Sequence, residues 1–459
     1  AAWTSTIVVA RLLTPFDYGL IGMATMYLAL VSLVSEFGVG TAIVSIEKWA
    51  DHQIRQLNTV AILVGVAGVI VSCVSAIPIA RFFSNPRVAM VLVVMSASLL
   101  ISSFQTVPSA LLQRELRFKL LAGLEGVKTI LTATATITLA FLGAGYWTLV
   151  FGGILGTLVF TILTFYAKPV RFSVPKIEGL RPALRFSSDI LISRIAWYAF
   201  SNADFLVAGR VLGATALGTY TLAWSIACMP IEKITTLFVR VGPAFFSAVQ
   251  NDNAALKRYL LGFTEPLAIA TFPVTVGVAL VAGDLVHIAF GPKWEASVLP
   301  LRILILAMSV RCLSPLLPFV LNVKGLTRFV MWNSVASATA LPIAFYGASR
   351  WGTVGIALVW MLIYPLFTVP VFAKTFKVID CSVLEYIRVI WPAGSSAVLM
   401  GLLVFLTSKL LGPGHSAVTT LIVKVAVGAA AYTGLMFFVH RTSTNRLLTF
   451  VKNFRQGRA

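Results

Sequence analysis

Three arginines of this sequence lie deep inside long apolar stretches, where a charge is unusual. They are Arg194, Arg240 and Arg311. A charge at the centre of a membrane helix costs roughly 2.5 to 3.5 kcal/mol on insertion scales, so each is a functional candidate by default. A guanidinium group donates two parallel hydrogen bonds to a phosphate, away from water. We predict that the three arginines bind an anionic headgroup; for Arg311, a clamp between helices is the alternative.

Polar residues continue the helical face that begins at Arg194. Tyr198, Ser201 and Asp204 follow Arg194 at intervals of three or four residues, which places all four close to one side of a helix. A polar stripe on a membrane helix favours a hydrated cavity. The alternative is that Arg194 pairs with Asp189 or with Asp204 and only holds helices together.

A second stripe lies on the next apolar stretch, where Glu232, Thr236 and Arg240 recur every four residues. Here too the alternative is a packing pair, between Arg240 and Glu232. Acids in such positions could take up H⁺ or Na⁺. The residues predicted to line the polar cavity or to bind a coupling ion are Glu36, Asp204, Glu232, Ser201 and Tyr198.

The other intramembrane charges favour structural interpretations. Arg302 and Lys424 lie near the ends of their stretches, where long side chains reach the interface. Glu125 and Lys128 are three residues apart and are expected to pair. Glu265 is expected at the membrane interface.

The composition identifies the class of protein that must position these residues. Of 459 residues, 58% are hydrophobic and 11% are charged, whereas soluble domains carry roughly 25% charged residues. This excludes a disordered chain, a disulfide scaffold and an ordinary soluble enzyme, and it predicts a polytopic membrane protein. The four cysteines and four histidines are dispersed, so neither a metal site nor a cofactor is expected.

Thirteen apolar stretches are long enough to cross a bilayer as helices. They cover residues 19–46, 58–80, 88–112, 120–142, 146–167, 188–209, 216–248, 260–282, 297–322, 329–347, 353–373, 387–411 and 418–439. Residues 1–10 are interpreted as the end of a first helix, which would make about fourteen.

The distribution of basic residues predicts the orientation. The net charge is +20, but Lys and Arg occur as short clusters between apolar stretches, which argues against nucleic-acid binding. One set of alternate connections, together with the C-terminus, carries most of them. The positive-inside rule places that side in the cytoplasm.

Three short motifs recur in the same order and indicate a duplication. Val9–Ala24 resembles Ala208–Ala223 at an offset of 199 residues, with Gly19 matching Gly218. Six helices per copy predict a parallel repeat. The predicted domains are a six-helix bundle over 1–167, a basic linker over 168–187, a second six-helix bundle over 188–375, an extra helix pair over 376–440 and a basic tail over 441–459.

The segments Ala10–Leu20 (ARLLTPFDYGL) and Ser35–Val44 (SEFGVGTAIV) resemble the polysaccharide-transport family of the MOP flippase superfamily, which includes Wzx-type flippases. The resemblance covers most of the chain. It implies two bundles around a cavity that opens alternately to either side of the bacterial inner membrane. It also implies a polyprenyl-diphosphate-linked oligosaccharide as cargo, moved to the periplasmic leaflet for surface polysaccharide synthesis, and a polymerase and glycosyltransferases as candidate partners.

Other functions fit the composition less well. A drug or cation antiporter of the same superfamily should favour carboxylates, whereas the deep bases here at least equal the acids. A glycan polymerase or ligase should carry a large periplasmic loop with catalytic residues, and the connections are short. The sequence does not choose between the membrane potential and a coupling ion as the energy source.

Overall fold

The computed structural model describes residues 2–36, 39–45, 49–175, 195, 198, 201–411 and 416–455. Within these ranges every regular element is helical. Of the segments formed by these elements, 11 are long and apolar enough to cross a membrane. The predicted all-α polytopic fold is therefore confirmed.

The membrane segments correspond to the predicted spans with one difference. The spans predicted at 329–347 and 353–373 correspond to two helical segments, over 327–348 and 352–378, which pack on each other and are joined only by a 3₁₀ turn. The span predicted at 188–209 lies mostly outside the described residues, and its last part belongs to the segment Ala203–Val239. Each predicted span that the structure describes is helical.

The chain divides into two compact units, Ala1–Thr221 and Leu222–Ala459. The sequence-based division instead uses a linker at 168–187. Residues 176–187 lie outside the described part of the chain, so the predicted domain boundaries stay a prediction.

In its described residues, the first unit contains seven helices up to residue 167 and a shorter one after residue 202. Their bounds are α1 Ala2–Leu12, α2 Pro15–Glu36, α3 Val39–Ser45, α4 Asp51–Phe82, α5 Arg87–Arg114, α6 Phe118–Phe141, α7 Trp147–Ala167 and α8 Ala203–Val207. A π-helical turn over Ala208–Leu212 joins α8 to α9, which covers Gly213–Ala248 and continues into the second unit. Within the first unit, α4 packs on α5, α6 on α7, and α1 on α6.

The second unit contains the rest of α9 and nine further helices. They are α10 Asn253–Ala289, α11 Val298–Arg311, α12 Leu316–Val323, α13 Thr327–Ala348, α14 Gly352–Leu358, α15 Tyr364–Val378, α16 Val383–Leu411, α17 Ala417–Phe438 and α18 Arg441–Arg455. A second π-helical turn, Val359–Ile363, lies between α14 and α15. Here α10 packs on α11, α16 and α17.

Local sequence sets where several helices begin. The Asp252 carboxylate accepts a hydrogen bond from the Ala255 amide at 3.0 Å and caps α10, and the Ser416 hydroxyl caps α17 in the same way.

Outward side chains such as Val74 and Ile77 stay exposed, at 74% and 60%. Large exposed apolar side chains along a helix of this length suit a surface that faces lipid.

Candidate functional site

Arg311 lies next to a pair of adjacent tryptophans of the second unit. Its guanidinium carbon is 5.0 Å from the ring centre of Trp224 and 4.6 Å from that of Trp360. The two rings are 5.3 Å apart. Each contact is a cation–π interaction, which stabilises a partly desolvated cation by about 1 to 2 kcal/mol.

A break in the membrane helix places Arg311 there. Helix α11 ends at Arg311 and α12 begins at Leu316. Pro315, four residues after Arg311, has no N–H to donate to the Arg311 carbonyl, so the helical hydrogen-bond pattern stops at this point. The carbonyl end of a helix favours a positive charge, which also stabilises the guanidinium.

Trp360 is held rigidly beside this break. It is 2% exposed and lies in the π-helical turn Val359–Ile363. Pro365 cannot donate a hydrogen bond to the carbonyl of Met361, which accounts for the wider turn. The rings of Phe345 and Tyr364 lie 5.5 Å and 5.4 Å from that of Trp360, so the indole is fixed from several sides.

The contacts of Arg311 leave part of its hydrogen-bonding capacity for a ligand. Nη1 is buried and has no hydrogen-bond partner among the described residues. In the same part of the chain, no carboxylate lies within 4 Å of the guanidinium. Both tryptophan rings lie beside the guanidinium group, while an anion is bound through its N–H groups. The arrangement can therefore hold an anion by a charge-assisted hydrogen bond.

The predicted stripe lies in the first unit, where Tyr198 and Asp204 are hydrogen-bonded to protein groups. Asp204 is fully buried and accepts a hydrogen bond from the Tyr220 hydroxyl at 2.7 Å. The Tyr198 hydroxyl donates to the Met26 carbonyl on α2 at 2.8 Å, and Ser201 is half-buried. These contacts link α2, α8 and the beginning of α9, whereas the cavity-lining and coupling roles of the three residues stay predictions.

The second predicted stripe is exposed where the structure describes it. Glu232 is an exposed residue of α9, and the Thr236 hydroxyl donates to the Glu232 carbonyl at 2.6 Å. The side chains of Arg240 and Glu36 and the whole of Arg194 lie outside the described residues. Of the three predicted arginines, the structure therefore describes the surroundings of Arg311 alone, and a joint site stays a prediction.

Two intramembrane charges form ion pairs that the sequence did not predict. Lys424 pairs with Asp284 on α10 at 2.6 Å. Glu265 is 6% exposed and accepts a hydrogen bond from Arg446 on α18 at 2.8 Å; the predicted interfacial positions of Lys424 and Glu265 stay predictions. Both partners are far away in sequence, and only the packing of α10 against α17 and α18 brings them together.

The predicted pair of Glu125 and Lys128 is also wrong. Both residues are described, and they form no ion pair within 4 Å. The Lys128 ammonium instead lies 5.2 Å from the ring centre of Phe160 on α7. Arg302 is exposed near the beginning of α11, and its predicted position at the interface stays a prediction.

Sequence reasoning missed the tryptophans beside Arg311 and the tyrosine that binds Asp204. Trp224, Trp360 and Tyr220 lie in apolar stretches, where aromatic residues are ordinary packing groups. The available signals were Pro315 and Pro365, which break or widen two helices next to Arg311 and Trp360. Among the described residues, no group of three His, Cys, Asp or Glu side chains could hold a metal ion.

Comparisons with known proteins relate this arrangement to one family. A family model described as polysaccharide biosynthesis protein matches residues 8–299. The succinoglycan biosynthesis transport protein ExoT of Rhizobium meliloti (strain 1021) is 24% identical over 97% of this chain and 91% of its own length. The lipopolysaccharide biosynthesis protein WzxC of Escherichia coli (strain K12) is 24% identical, over 84% of this chain and 79% of its own.

The fold is shared with a solved flippase. The inward closed conformation of the lipid II flippase MurJ superposes with a TM-score of 0.75, covering 96% of this chain and 97% of that one, at 14% identity. This likeness concerns the fold alone. The family match covers more than half of the sequence and confirms the resemblance predicted from Ala10–Leu20 and Ser35–Val44, so the chain belongs to the polysaccharide biosynthesis protein family.

Proposed function

We propose that this protein moves a polyprenyl-diphosphate-linked oligosaccharide from the cytoplasmic to the periplasmic leaflet of the bacterial inner membrane. Family membership and relatives named for polysaccharide biosynthesis and transport support the proposal. The described residues include eleven segments long and apolar enough to cross a membrane, and such a body can enclose a polar headgroup. The function is transport, without a chemical reaction on the cargo.

The observation that carries the proposal is the environment of the Arg311 guanidinium group. A diphosphate cannot cross a layer of low dielectric constant without a compensating charge. Arg311 supplies one at the middle of a membrane segment, next to the rings of Trp224 and Trp360 and with Nη1 unbonded within the described residues. Aromatic rings do not neutralise a cation, whereas a paired carboxylate does. Arg311 therefore retains a positive charge that can bind an anionic ligand.

The alternative functions predict different surroundings for Arg311. A cation antiporter would need carboxylates facing its substrate, but the buried Asp204 is bonded to Tyr220. Among the described residues, the carboxylates of Glu115, Asp284, Glu265 and Glu385 form ion pairs, with Lys168, Lys424, Arg446 and Lys257. None of these pairs involves Arg311, so its charge is directed at an anion.

The energy source and the partner proteins belong to the same proposal. An inside-negative potential favours outward movement of an anion by about 2.3 kcal/mol per charge per 100 mV. A doubly charged diphosphate gains from this without a counter-ion, while Glu36, Asp204 and Glu232 remain candidates for H⁺ or Na⁺. Glycosyltransferases would supply the lipid-linked cargo, and a polymerase would consume it.

The test is complementation of a null strain by Arg311 variants. Arg311→Ala should abolish surface polysaccharide and leave lipid-linked repeat units on the cytoplasmic leaflet, while the protein remains in the membrane. Arg311→Lys should recover only part of the activity, because lysine cannot form two parallel hydrogen bonds.

Arg302→Ala is the matched control, since Arg302 lies on the same helix at its exposed end. It should complement like the wild type. Normal surface polysaccharide with Arg311→Ala would overturn the role of this residue. Normal leaflet distribution in the null strain would overturn the transport function itself.

A further inference from the structure

An apolar groove of about 670 Å³ lies on the first unit between α5, α7 and the segment 168–175 that follows α7. The residues that line it include Ile101 and Phe104 of α5, Leu158 and Ile162 of α7, and Pro169 and Phe172 of the following segment. Ile162 and Phe172 are 44% and 53% exposed. On a membrane helix such exposed apolar side chains face lipid, so the groove is open to the bilayer.

The segment after α7 is a fixed wall of this groove. The Asn58 side-chain amide donates to the Val170 carbonyl at 3.3 Å, and the Ser173 amide donates to the Thr59 hydroxyl at 3.1 Å. The Val170 side chain is 7% exposed and packs in the core around α3, α4 and α5. Because these contacts already hold the segment on α4, a ligand does not have to order this wall when it binds.

The length of the groove matches one leaflet of a membrane. Both α5 and α7 run towards the side that the basic connections place in the cytoplasm. Leu158 is ten residues before Lys168, which is about 15 Å along a helix. Half of a hydrocarbon core of roughly 30 Å is also about 15 Å. One acyl chain of a cytoplasmic-leaflet lipid can therefore lie along the groove, whereas a long polyprenyl chain would extend beyond it.

The interior of the groove suits hydrocarbon. Its lining hydroxyl at Thr161 lies 3.1 Å from the Ile101 carbonyl, to which it donates, and 3.1 Å from Oε1 of Gln105. This hydroxyl is satisfied by the protein and needs no polar ligand. Tyr166 lies near the end of α7 and is 81% exposed, as expected for an amphipathic ring at the level of lipid headgroups.

The cytoplasmic end of the groove is positively charged. Residues 114–119 and 168–171 hold one acid, Glu115, which pairs with Lys168. They hold five bases, which are Arg114, Arg117, Lys119, Lys168 and Arg171. Arg171 is exposed and lies in sequence between the lining residues Pro169 and Phe172. A basic group at this level attracts the anionic headgroups of the cytoplasmic leaflet.

We propose that this groove is a binding site for an anionic phospholipid of the cytoplasmic leaflet, with one acyl chain between α5 and α7 and the headgroup phosphate on Arg171. The inference goes beyond the transport function and does not depend on the identity of the cargo. The bound lipid covers the outer side of the segment 168–175, whose inner side is bonded to α4.

The first test measures lipid binding to the full chain by native mass spectrometry from detergent, with dioleoyl phosphatidylglycerol and dioleoyl phosphatidylcholine as probes. The wild type should bind phosphatidylglycerol at least fivefold more tightly. Arg171→Gln should weaken phosphatidylglycerol binding about fivefold and leave phosphatidylcholine binding unchanged. Arg328→Gln, at an exposed arginine of another cytoplasmic connection, is the control and should change neither. Equal affinity of the wild type for the two lipids, or no effect of Arg171→Gln, would overturn the proposal.

The second test fills the groove. Ile162→Trp should reduce binding of both lipids, because the indole occupies the position of the acyl chain. Val74→Trp adds the same side chain on the exposed face of α4 and should bind both lipids like the wild type. Equal binding by the two tryptophan variants would contradict an acyl-chain site between α5 and α7.

The third test locates the lipid on the wild-type protein. Phosphatidylglycerol with a diazirine in its acyl chain should label peptides that contain residues 100–104 and 158–172, and unlabelled phosphatidylglycerol should suppress this labelling more than phosphatidylcholine does. Labelling spread evenly over all exposed helices would mean that only ordinary boundary lipid is present. Stronger suppression by farnesyl diphosphate than by phosphatidylglycerol would assign the groove to the cargo instead. Either result would overturn the proposal and leave the role of Arg311 untouched.

Discussion

Gly19 and Gly218 make reciprocal contacts between the beginnings of α2 and α9. A Cβ at Gly19 would lie 1.7 Å from the Ala214 carbonyl oxygen, and a Cβ at Gly218 would lie 1.8 Å from the Pro15 carbonyl oxygen. In the predicted duplication, Gly19 corresponds to Gly218 and Pro15 to Ala214, at an offset of 199 residues. The two contacts are therefore reciprocal, because each glycine faces the carbonyl group of the residue four positions before the other glycine.

Any side chain at these glycines should separate the two helices. Gly19→Val and Gly218→Val both collide with backbone, which cannot rotate away, so each should lower the free energy of unfolding by about 3 kcal/mol or more. Thermal unfolding in detergent measures this effect. Gly126→Ala is the control because nothing lies within 4 Å of a Cβ there. Unfolding temperatures that match the wild type for both valine variants would contradict the contact.

The hydrogen bond between Tyr220 and Asp204 should stabilise the first unit. Tyr220→Phe removes the hydroxyl from a carboxylate that is fully buried, which should cost about 1 to 3 kcal/mol. Tyr346→Phe provides a matched control, since Tyr346 is 66% exposed. The two variants compared by thermal unfolding should differ clearly, and equal stability would mean that the bond contributes nothing.

The ion pair of Lys424 and Asp284 should behave as a partly buried pair. Asp284→Asn leaves the Lys424 ammonium, whose side chain is 10% exposed, without its partner and should destabilise the protein by about 2 to 3 kcal/mol. Replacing both residues, by Lys424→Met together with Asp284→Leu, should recover most of the lost free energy of unfolding. A double-mutant cycle of unfolding measurements tests this.

The control for that cycle is the more exposed pair of Lys257 and Glu385. Lys257→Gln should change stability by less than about 1 kcal/mol. If the double variant of Lys424 and Asp284 is no more stable than Asp284→Asn, the two residues are not coupled.

Trp360 should be needed for the function of Arg311. Trp360→Leu removes one aromatic face from the guanidinium, which should reduce transport about fivefold at roughly 1 kcal/mol for a cation–π contact. Trp360→Phe should retain more activity because a phenyl ring also presents a face to the cation. Surface polysaccharide in the complemented null strain is the readout. Trp391→Leu, at an exposed tryptophan, should be neutral; the same loss there would make the effect nonspecific.

The sequence predicted the helices well because a membrane span is a local property. About 20 consecutive apolar residues identify it, without knowledge of its neighbours. Arg311 could be singled out for the same reason, since a charge within such a stretch is conspicuous. The family resemblance was likewise carried by short contiguous motifs.

The partners of these residues could not be predicted, because they depend on tertiary packing. Lys424 and Asp284 are 140 positions apart, and nothing in either stretch identifies the other. Lys128 has an acid one turn away, at Glu125, yet its ammonium lies on Phe160. In a sequence, a tryptophan that contacts a cation looks the same as one that only packs in an apolar stretch. The contacts of Trp224 and Trp360 with Arg311 could therefore be recognised only in the structure.

The most direct test of the central claim is the rate at which a short-chain polyprenyl-diphosphate-linked oligosaccharide crosses proteoliposomes that contain the wild type, Arg311→Lys, Arg311→Ala or Arg302→Ala. Wild type and Arg302→Ala should transport it at equal rates, Arg311→Lys more slowly, and Arg311→Ala no faster than protein-free vesicles. A wild-type rate for Arg311→Ala would contradict the account.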